Sequence, residues 1–209
     1  MNASSAASSG AAEPAVGGEE RVVLLDPEGR SIGTAAKAGV HHADTPLHLA
    51  FSAYLFSTDG ELLVTRRALD KATFPGMWTN SVCGHPAPGE PLADAVARRA
   101  RLELGLEVAS PRLVLPRFAY RAEMGGVVEH EMCPVYAAWP APGASPRLDP
   151  TEVHEAVWVP WPQFADEVLE GRREVSVWCA EQVAQLVTLG ADPEGWPAAD
   201  PQALPPAAR

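Results

Sequence analysis

The hydrophobic pattern of the first half of the chain limits the folds that are open to it. Residues 21–33 (RVVLLDPEGRSIG) form two short apolar runs around a DPEG turn. Residues 49–68 (LAFSAYLFSTDGELLVTRRA) form two longer runs that meet at Asp59-Gly60. Apolar runs on either side of a short turn that contains glycine are typical of β-hairpins. The chain is therefore predicted to begin with strands.

The hydrophobic period becomes that of a helix between Pro91 and Leu104. Leu92, Val96 and Ala100 recur every four residues and so share one face of a helix. Proline suits the first helical turn, and glycine, here Gly105, commonly ends a helix. The opposite face is expected to meet solvent and contains Asp94, Arg98 and Arg101.

The remaining segments complete an α/β pattern. Apolar stretches predict further strands around residues 112–121, 127–139 and 156–159, and two amphipathic segments predict helices at residues 162–170 and 175–188. Strands interspersed with a few helices favour a mixed sheet with helices packed on its faces. The expected fold class is therefore α/β.

Size and composition predict one domain with a tail at each end. A chain of 209 residues suffices for one well-buried domain and leaves little for a second. Residues 1–20 are rich in Ala, Ser and Gly, and we expect them to be disordered. Residues 190–209 are rich in Pro and Ala and are expected to form a loosely attached tail. The predicted domain spans residues 21–189.

Charge, hydropathy and cysteine content exclude several classes of protein. The formal net charge of −11 disfavours non-specific binding to nucleic acid, which needs a basic surface. No run of about 18 apolar residues could cross a membrane, and the N-terminus lacks the features of a secretory signal. The three cysteines are odd in number and widely spaced, which favours free thiols in a reducing compartment. We therefore expect a cytoplasmic protein.

The segment TNSVCGHP places Cys83 two residues before His85. Such a pair can be half of a metal site, an activated thiol or ordinary turn chemistry, and the spacing alone leaves all three open. The segment VHHADTPLHLAF contains His41, His42 and His48, and its proline shows that these histidines do not share one helical face. A polar surface loop that enters a strand accounts for the pattern, and we expect that position for His42.

The segment VVEHEMCPVY places two carboxylates on one face of a predicted strand. Glu129 and Glu131 point to the same side and His130 to the other. Two carboxylates stacked on an otherwise apolar strand are unfavourable unless something positive lies between them. The alternative is an edge strand whose polar face meets solvent.

The predicted helix and the loop before it resemble the Nudix box, a loop–helix–loop that presents carboxylates to the metal of a diphosphate. The matching positions are Gly84, Glu90, Arg98, Glu103, Gly105 and Leu106. The match is partial, because Arg99 and Leu102 occupy positions that are glutamates in Nudix hydrolases. Arg99 and Glu103 are four residues apart, so they are either a surface ion pair or one phosphate contact and one metal ligand.

Several distinctive segments lie between about residues 22 and 187, namely HHADTPLHLAFS, LLVTRRAL, FPGMWTNSVCGHP, the partial Nudix box, YRAE, EHEMCPV and VSVWC. Together they resemble type 1 isopentenyl diphosphate isomerases. The short loop after Tyr120 and the valine before Trp178 are departures from the family pattern. The resemblance implies the Nudix α/β/α sandwich, with a mixed sheet and flanking helices, and an enzyme that interconverts isopentenyl diphosphate and dimethylallyl diphosphate in isoprenoid biosynthesis.

The resemblance also implies two metal sites and a diphosphate site. The first metal site matches His41, His48, His85, Glu129 and Glu131, a donor set that suits Mn²⁺ or Mg²⁺ and also accepts Zn²⁺. A second metal, Mg²⁺, enters with the substrate and matches Glu103 and the carbonyl of Cys83. The cations that match the diphosphate contacts are Lys37, Arg67, Lys71 and Arg99.

The residues that match the catalytic positions of this family are Cys83, Glu131, Tyr120 and Trp178. The reaction protonates an alkene to a tertiary carbocation and removes a proton from another carbon, so it needs a group on each side of the substrate. Cys83 suits one side, and Glu131 with Tyr120 suits the other. Trp178 would face the carbocation, although its position on an amphipathic helix is equally typical of a core aromatic.

Two other functions fit parts of the sequence. A Nudix hydrolase would use a carboxylate-rich box to activate water, which Arg99 and Leu102 weaken. A non-catalytic protein that binds metal or prenyl diphosphate would be expected to lack the Cys83 thiol or Glu131, and both are present. We expect a monomeric enzyme whose partner is a small prenyl diphosphate, with no nucleic acid or membrane partner.

Overall fold

The computed structural model describes residues 19–209, so most of the predicted N-terminal tail lies outside the described residues. The strands are β1 (Arg21–Leu25), β2 (Ser31–Ala36), β3 (His48–Leu49), β4 (Phe51–Leu55), β5 (Glu61–Arg67), β6 (Trp78–Thr79), β7 (Val82–Gly84), β8 (Arg112–Leu115), β9 (Ala119–Met124), β10 (Val127–Met132), β11 (Val135–Ala138) and β12 (Val153–Pro160). The helices are α1 (Lys37–Val40), α2 (Leu92–Leu104), α3 (Trp161–Leu169) and α4 (Val177–Leu186). Short 3₁₀ turns follow at Val187–Leu189, Pro193–Gly195, Pro201–Ala203 and Pro206–Ala208.

The strands form three sheets, of which two are mixed and the third is antiparallel. Their orders are β2-β1-β3-β10-β9, β7-β4-β11-β8 and β12-β5-β6. The pairs β3–β10 and β4–β11 are parallel, and the hairpins β1–β2 and β9–β10 are antiparallel. Among residues 19–209, no helix combines the length and the apolar composition that a membrane span needs.

Strand β4 separates two hydrophobic cores. Phe51, Ala53 and Leu55 point into the core that contains the apolar face of α2, whereas Tyr54 and Phe56 point into the core that contains α3 and α4. This alternation follows from the two-residue period of a strand, and it lets one central strand bury both of its faces. Helices on both sides of the strands confirm the predicted α/β sandwich.

Helix α2 has the apolar face that its sequence period predicts. Leu92, Val96, Ala100 and Leu104 are all buried. Gly105 ends the helix with a φ of 64°, a left-handed conformation that glycine adopts without steric cost. The helix packs against β7 and β4, and this contact places its C-terminal half beside Cys83 in β7 and His85 just after it.

Two of the predicted strands are each divided in two. The stretch 112–121 contains β8 and β9, and the stretch 127–139 contains β10 and β11. At the second break Pro134 has no N–H to continue a ladder, and its carbonyl instead accepts a hydrogen bond from Ser52 N at 3.1 Å. The break lets the chain leave one sheet after Met132 and enter the next at Val135.

The C-terminal segment is not a loosely attached tail, so that prediction is wrong. The Trp196 side chain is only 2% exposed and packs edge-on against Phe56 and Trp161. Backbone hydrogen bonds join Ala199 N to Leu113 O at 2.8 Å and Ala207 N to Gly29 O at 2.9 Å. Proline-rich composition was misleading because isolated apolar residues in such a segment can still dock on a core.

Candidate active site

A cavity of about 390 Å³ collects nearly all of the predicted site residues. Its walls come from different elements, with Arg67 on β5, Cys83 on β7, Arg99 on α2 and Glu131 on β10. The predicted residues that line it are Lys37, His41, Arg67, Lys71, Cys83, His85, Arg99, Glu103, Tyr120, Glu129, Glu131 and Trp178. His48 lies behind the wall, fully buried, with Nε2 3.1 Å from His85 Nε2.

Three imidazoles and one carboxylate converge on one wall of this cavity. The parallel pairing of β10 with β3 places Glu131 opposite His48, while His85 follows β7 and His41 ends α1. Each of the four residues offers one donor atom, and these atoms all lie within 4.8 Å of one another. Glu131 Oε1 is 3.2 Å from His85 Nε2 and 3.4 Å from His48 Nε2. Of the two adjacent histidines, His41 therefore belongs to this group, whereas His42 is exposed.

The electrostatics of the four-residue group favour an ionised Glu131 beside neutral His41 and His85, because burial lowers the pKa of both of these imidazoles. Burial also opposes charge on His48, but the hydrogen bond to Glu131 outweighs it and raises the pKa of His48. Burial opposes charge on Glu131, but hydrogen bonds from His48 and His85 outweigh this effect and hold the pKa of the carboxyl well below its usual range. Burial, reinforced by the charge of neighbouring His85, lowers the pKa of His41 to about 4. The ionised carboxylate of Glu131 and the neutral imidazoles of His41 and His85 are in the protonation states that bind a cation.

The group fits a divalent cation. His48 Nδ1 donates its proton to the Pro46 carbonyl at 2.9 Å, so Nε2 is the atom that would carry the lone pair for a cation. Among the described residues, His41 Nε2 and His85 Nδ1 are buried nitrogen atoms without a hydrogen-bond partner. Nitrogen and carboxylate oxygen donors suit Mn²⁺, Mg²⁺ or Zn²⁺. A cation bound by this group would supply a partner for buried nitrogen that has none within the protein.

Glu129 is close to this group but is not one of its four members. It connects to Glu131 through Tyr120, whose hydroxyl lies 2.8 Å from Glu129 Oε2 and 2.9 Å from Glu131 Oε2. Burial, together with the charge of Glu131, raises the pKa of Glu129. The two carboxylates are 5% and 6% exposed, so the alternative of a solvent-facing edge strand is wrong.

Cys83 also lines the cavity, from a different sheet than Glu131. Its strand pairs with β4 so that Cys83 faces Ser52, whose Oγ is 3.5 Å from the sulfur. The thiol also lies 3.2 Å from Asn80 Oδ1. Burial raises the pKa of Cys83 to about 11, so the side chain is a neutral thiol. The four-residue group that could hold a metal ion contains no sulfur.

Arg99 and Glu103 form a buried ion pair. The surface ion pair that their four-residue spacing also allowed is therefore excluded. The two residues are 7% and 6% exposed, and Arg99 Nη2 lies 2.6 Å from Glu103 Oε1. Arg99 Nη2 also lies 3.2 Å from an oxygen of Glu152, which in turn bonds Lys71. Two of the predicted diphosphate cations therefore already share a carboxylate.

The other two predicted cations have partners of their own. Lys37 Nζ is 2.6 Å from Glu20 Oε2, and both residues line the cavity. Arg67 donates to the Thr73 carbonyl at 2.9 Å, and its guanidinium carbon lies 5.8 Å from the centre of the Trp178 ring. The cavity therefore combines a cationic portion with an aromatic portion.

The helical period predicted a solvent-facing position for Arg98, and this prediction is wrong. Arg98 is partly buried rather than on the solvent face, because it bonds both carboxylate oxygens of Glu90 at 2.7 Å. Its guanidinium also reaches the His85 carbonyl at 3.3 Å. The pair ties the loop before α2 to the helix and so supports the position of His85.

Trp178 has features of both a core residue and a site residue. It is 1% exposed and packs edge-on against Phe74, at 5.0 Å between ring centres. It also lines the cavity, with its ring 5.3 Å from that of Tyr120. Its indole N–H donates to Asn80 Oδ1 at 3.2 Å.

Two residues of the site were missed by sequence reasoning. Glu152 lines the cavity and contacts Lys71 and Arg99, yet it lies about fifty residues after α2 in a turn that has no recognisable motif. Asn80 is fully buried beside Cys83 and Trp178. The sequence contained a sign of this role, because the Asn80 amide in the segment TNSVCGHP needs hydrogen-bond partners once it is buried.

The sandwich and its carboxylate-bearing α2 define a Nudix protein, and the family model for the NUDIX domain matches residues 46–179. Solved structures with the same fold include a Deinococcus radiodurans protein (TM-score 0.60, 20% identity, 79% of this chain and 98% of that chain). The MutT protein of Methanosarcina mazei is also similar (TM-score 0.53, 20% identity, 69% of this chain and 96% of that chain).

Relatives with similar sequences specify which family of Nudix proteins the chain belongs to. The isopentenyl-diphosphate Delta-isomerase of Saccharopolyspora erythraea is 55% identical over 90% of this chain and 97% of the relative. The protein of the same name from Rhizobium rhizogenes is 50% identical over 94% of each chain. The chain belongs to the isopentenyl-diphosphate Delta-isomerase family.

Proposed function

We propose that this protein is an isomerase that interconverts isopentenyl diphosphate and dimethylallyl diphosphate in isoprenoid biosynthesis. The observation that carries the proposal is the placement of two proton-carrying groups in one cavity. Cys83 and the Glu131–Tyr120 pair come from different sheets and line the same space. A prenyl chain bound between them would meet a proton carrier on each side.

The reaction requires this arrangement. A proton added to the terminal carbon of the alkene leaves a tertiary carbocation, and a proton lost from the carbon on the other side of the cation completes the shift of the double bond. The protein gives one proton and receives one, so its net protonation is unchanged. One group could not reach both faces of the substrate, whereas Cys83 and Glu131 are each suited to one face.

Tyr120 assists by fixing the carboxylates. Its hydroxyl has one proton and lies within hydrogen-bond distance of both Glu129 and Glu131, so it can donate to either one. Its ring packs beside Trp178, which brings an aromatic surface next to the proton carriers. Trp178 would stabilise the carbocation through its π face, because an indole attracts positive charge without forming a covalent adduct.

Two metal sites complete the proposal. His41, His48, His85, Glu129 and Glu131 would hold Mn²⁺ or Mg²⁺, with Zn²⁺ as an alternative, and Glu103 with the Cys83 carbonyl would hold Mg²⁺ beside the diphosphate. When bound, the cations supply fixed positive charge for the carboxylates and for the diphosphate oxygens. Lys37, Arg67, Lys71 and Arg99 would bind the remaining diphosphate oxygens.

We further infer a cytoplasmic monomer whose partner is its small-molecule substrate, without a nucleic-acid or membrane partner. The net charge of −11 and the three free cysteines support these assignments. Cys133 and Cys179 are buried and Cys83 lines the cavity.

A Nudix hydrolase is disfavoured by the chemistry of α2. The two positions that are glutamates in such hydrolases are Arg99, which is paired with Glu103, and Leu102, which is 54% exposed. Neither side chain could bind a metal that activates water. Incubation with isopentenyl diphosphate and Mg²⁺ tests the choice: an isomerase yields dimethylallyl diphosphate, whereas release of phosphate or diphosphate without isomerisation would refute the proposal.

A further inference from the structure

Asn80 occupies a fully buried position directly behind two of the proposed active-site residues. It follows β6 and precedes β7, and its side chain is 0% exposed. It does not line the cavity, so no substrate atom is expected to touch it. All of its effects on a bound molecule must therefore pass through the side chains that it contacts.

The orientation of the Asn80 amide is fixed by its partners. The Nδ2 group lies 3.0 Å from the Ala53 carbonyl and 2.9 Å from the Val82 carbonyl. Both carbonyls only accept hydrogen bonds, so the atom that faces them must be the NH₂ group. On the other side lies the Trp178 indole N–H, which only donates, so the atom that faces it must be Oδ1. The exchange of oxygen and nitrogen that is often ambiguous for a buried amide is excluded here.

One oxygen atom consequently meets the two proposed active-site residues. Asn80 Oδ1 lies 3.2 Å from Cys83 Sγ and 3.2 Å from Trp178 Nε1. It also lies 2.9 Å from Thr79 Oγ1, which in turn bonds Ser176, the residue that caps α4. The thiol belongs to β7 and the indole to α4, so Asn80 joins two elements that are distant in sequence.

We propose that Asn80 is a positioning residue that holds the Cys83 thiol and the Trp178 indole in register through a single carbonyl oxygen. This inference rests on the proposed isomerase function. The amide is held by two backbone carbonyls, so its oxygen is a fixed point rather than a movable one. A displaced thiol would no longer align with the reacting carbon, and misplacement by about 1 Å can reduce a rate by roughly 100-fold.

Replacing Asn80 with leucine or aspartate, two side chains of similar shape, distinguishes the effect of the Oδ1 acceptor from the effect of packing. Asn80→Leu removes both the acceptor and the donors, whereas Asn80→Asp keeps an oxygen towards Cys83 and Trp178 and loses the donors to the backbone. Both variants are expected to be destabilised, because each leaves the Ala53 and Val82 carbonyls without their partner. Only Asn80→Asp retains the positioning contact.

The test is steady-state isomerisation of isopentenyl diphosphate by the full-length enzyme with Mg²⁺. We expect kcat of Asn80→Leu to fall by roughly 100-fold and that of Asn80→Asp to stay at least about tenfold higher, with KM within about threefold in both. Phe164→Leu changes a buried core residue on α3 and serves as a destabilised control that should keep its kcat. Equal kcat losses in the two Asn80 variants would overturn the inference. Inactive wild-type enzyme would instead refute the proposed function.

A spectroscopic measurement covers the case in which the Asn80 variants do not fold. The indole N–H resonance of Trp178 can be assigned in ¹⁵N-labelled protein by its absence in Trp178→Phe. Cys83→Ala removes one of the groups that share Asn80 Oδ1 and should shift this resonance, whereas Cys133→Ala, whose sulfur contacts Ser52 instead, should not. An unchanged resonance in Cys83→Ala would show that the thiol and the indole do not share the oxygen.

Discussion

Arg99 and Glu103, one turn apart on α2, bond to each other within the cavity wall. Arg99 Nε and Nη2 each lie 2.6 Å from Glu103 Oε1. Burial raises the pKa of Glu103, while the charge of Arg99 opposes that rise. The charges of Arg99 and Glu103 therefore neutralise each other. Under the proposed function, Mg²⁺ and a diphosphate would bind together and take the place of these partners.

Glu103→Gln should raise the Mg²⁺ concentration needed for half-maximal activity by at least tenfold or so, because an amide oxygen is a weaker ligand for a hard cation than a carboxylate. Titration of activity with Mg²⁺ at saturating substrate measures the change. Glu107→Gln, an exposed glutamate just after the helix, is the matched control. Unchanged Mg²⁺ dependence in Glu103→Gln would place the second metal elsewhere.

Cys83→Ala and Glu131→Gln should each reduce kcat by about 10²–10⁴-fold or more, because each removes a proton carrier. Cys83→Ser should retain more activity than Cys83→Ala, since a hydroxyl remains. Product analysis of folded variants measures the loss, and Cys133→Ala, which removes another buried thiol, should stay active. Near-normal turnover by Cys83→Ala would remove the thiol from the mechanism.

His41→Ala, His48→Ala and His85→Ala should lower the metal content of the purified protein. Elemental analysis after dialysis measures this content. His42→Ala and His130→Ala are the controls, because neither residue belongs to the converging group. Absorption of a Co²⁺-substituted form should lack a thiolate-to-metal band, and the appearance of such a band would contradict a site built from nitrogen and oxygen alone.

Trp178→Phe should remain active with a modest loss of kcat, whereas Trp178→Leu should lose considerably more. A desolvated cation–π contact contributes about 2 kcal/mol, which corresponds to roughly 30-fold in rate if the contact forms only in the transition state. Metal content and thermal unfolding control for damage to the fold. Equal rates for Phe and Leu at normal stability would mean that Trp178 only fills space.

Trp196→Ala should lower the free energy of unfolding by about 3–5 kcal/mol, because it removes a buried indole from the core beside Phe56 and Trp161. Urea denaturation measures the change, and Leu169→Ala, half-exposed on α3, is the control. A loss below about 0.5 kcal/mol would mean that the C-terminal segment contributes nothing to stability.

Much of the architecture follows from local periods. The four-residue period of Leu92, Val96, Ala100 and Leu104 predicts the buried face of α2, because side-chain direction in a helix depends only on position along the chain. The same holds for the alternation of Glu129, His130 and Glu131 on β10. Strand ends were less predictable, since a proline such as Pro134 interrupts a ladder only in relation to the strand beside it.

The candidate residues can be recognised from the chain alone, because the segment TNSVCGHP, the Glu-x-Glu strand and the altered Nudix box are local patterns. Their partners depend on how the chain folds. Glu152 beside Arg99, Asn80 beside Trp178, and Trp196 beside Phe56 are contacts between residues far apart in the chain. Hydrophobic period describes which way one side chain faces, and it contains no information about which distant residue will occupy the space that it faces.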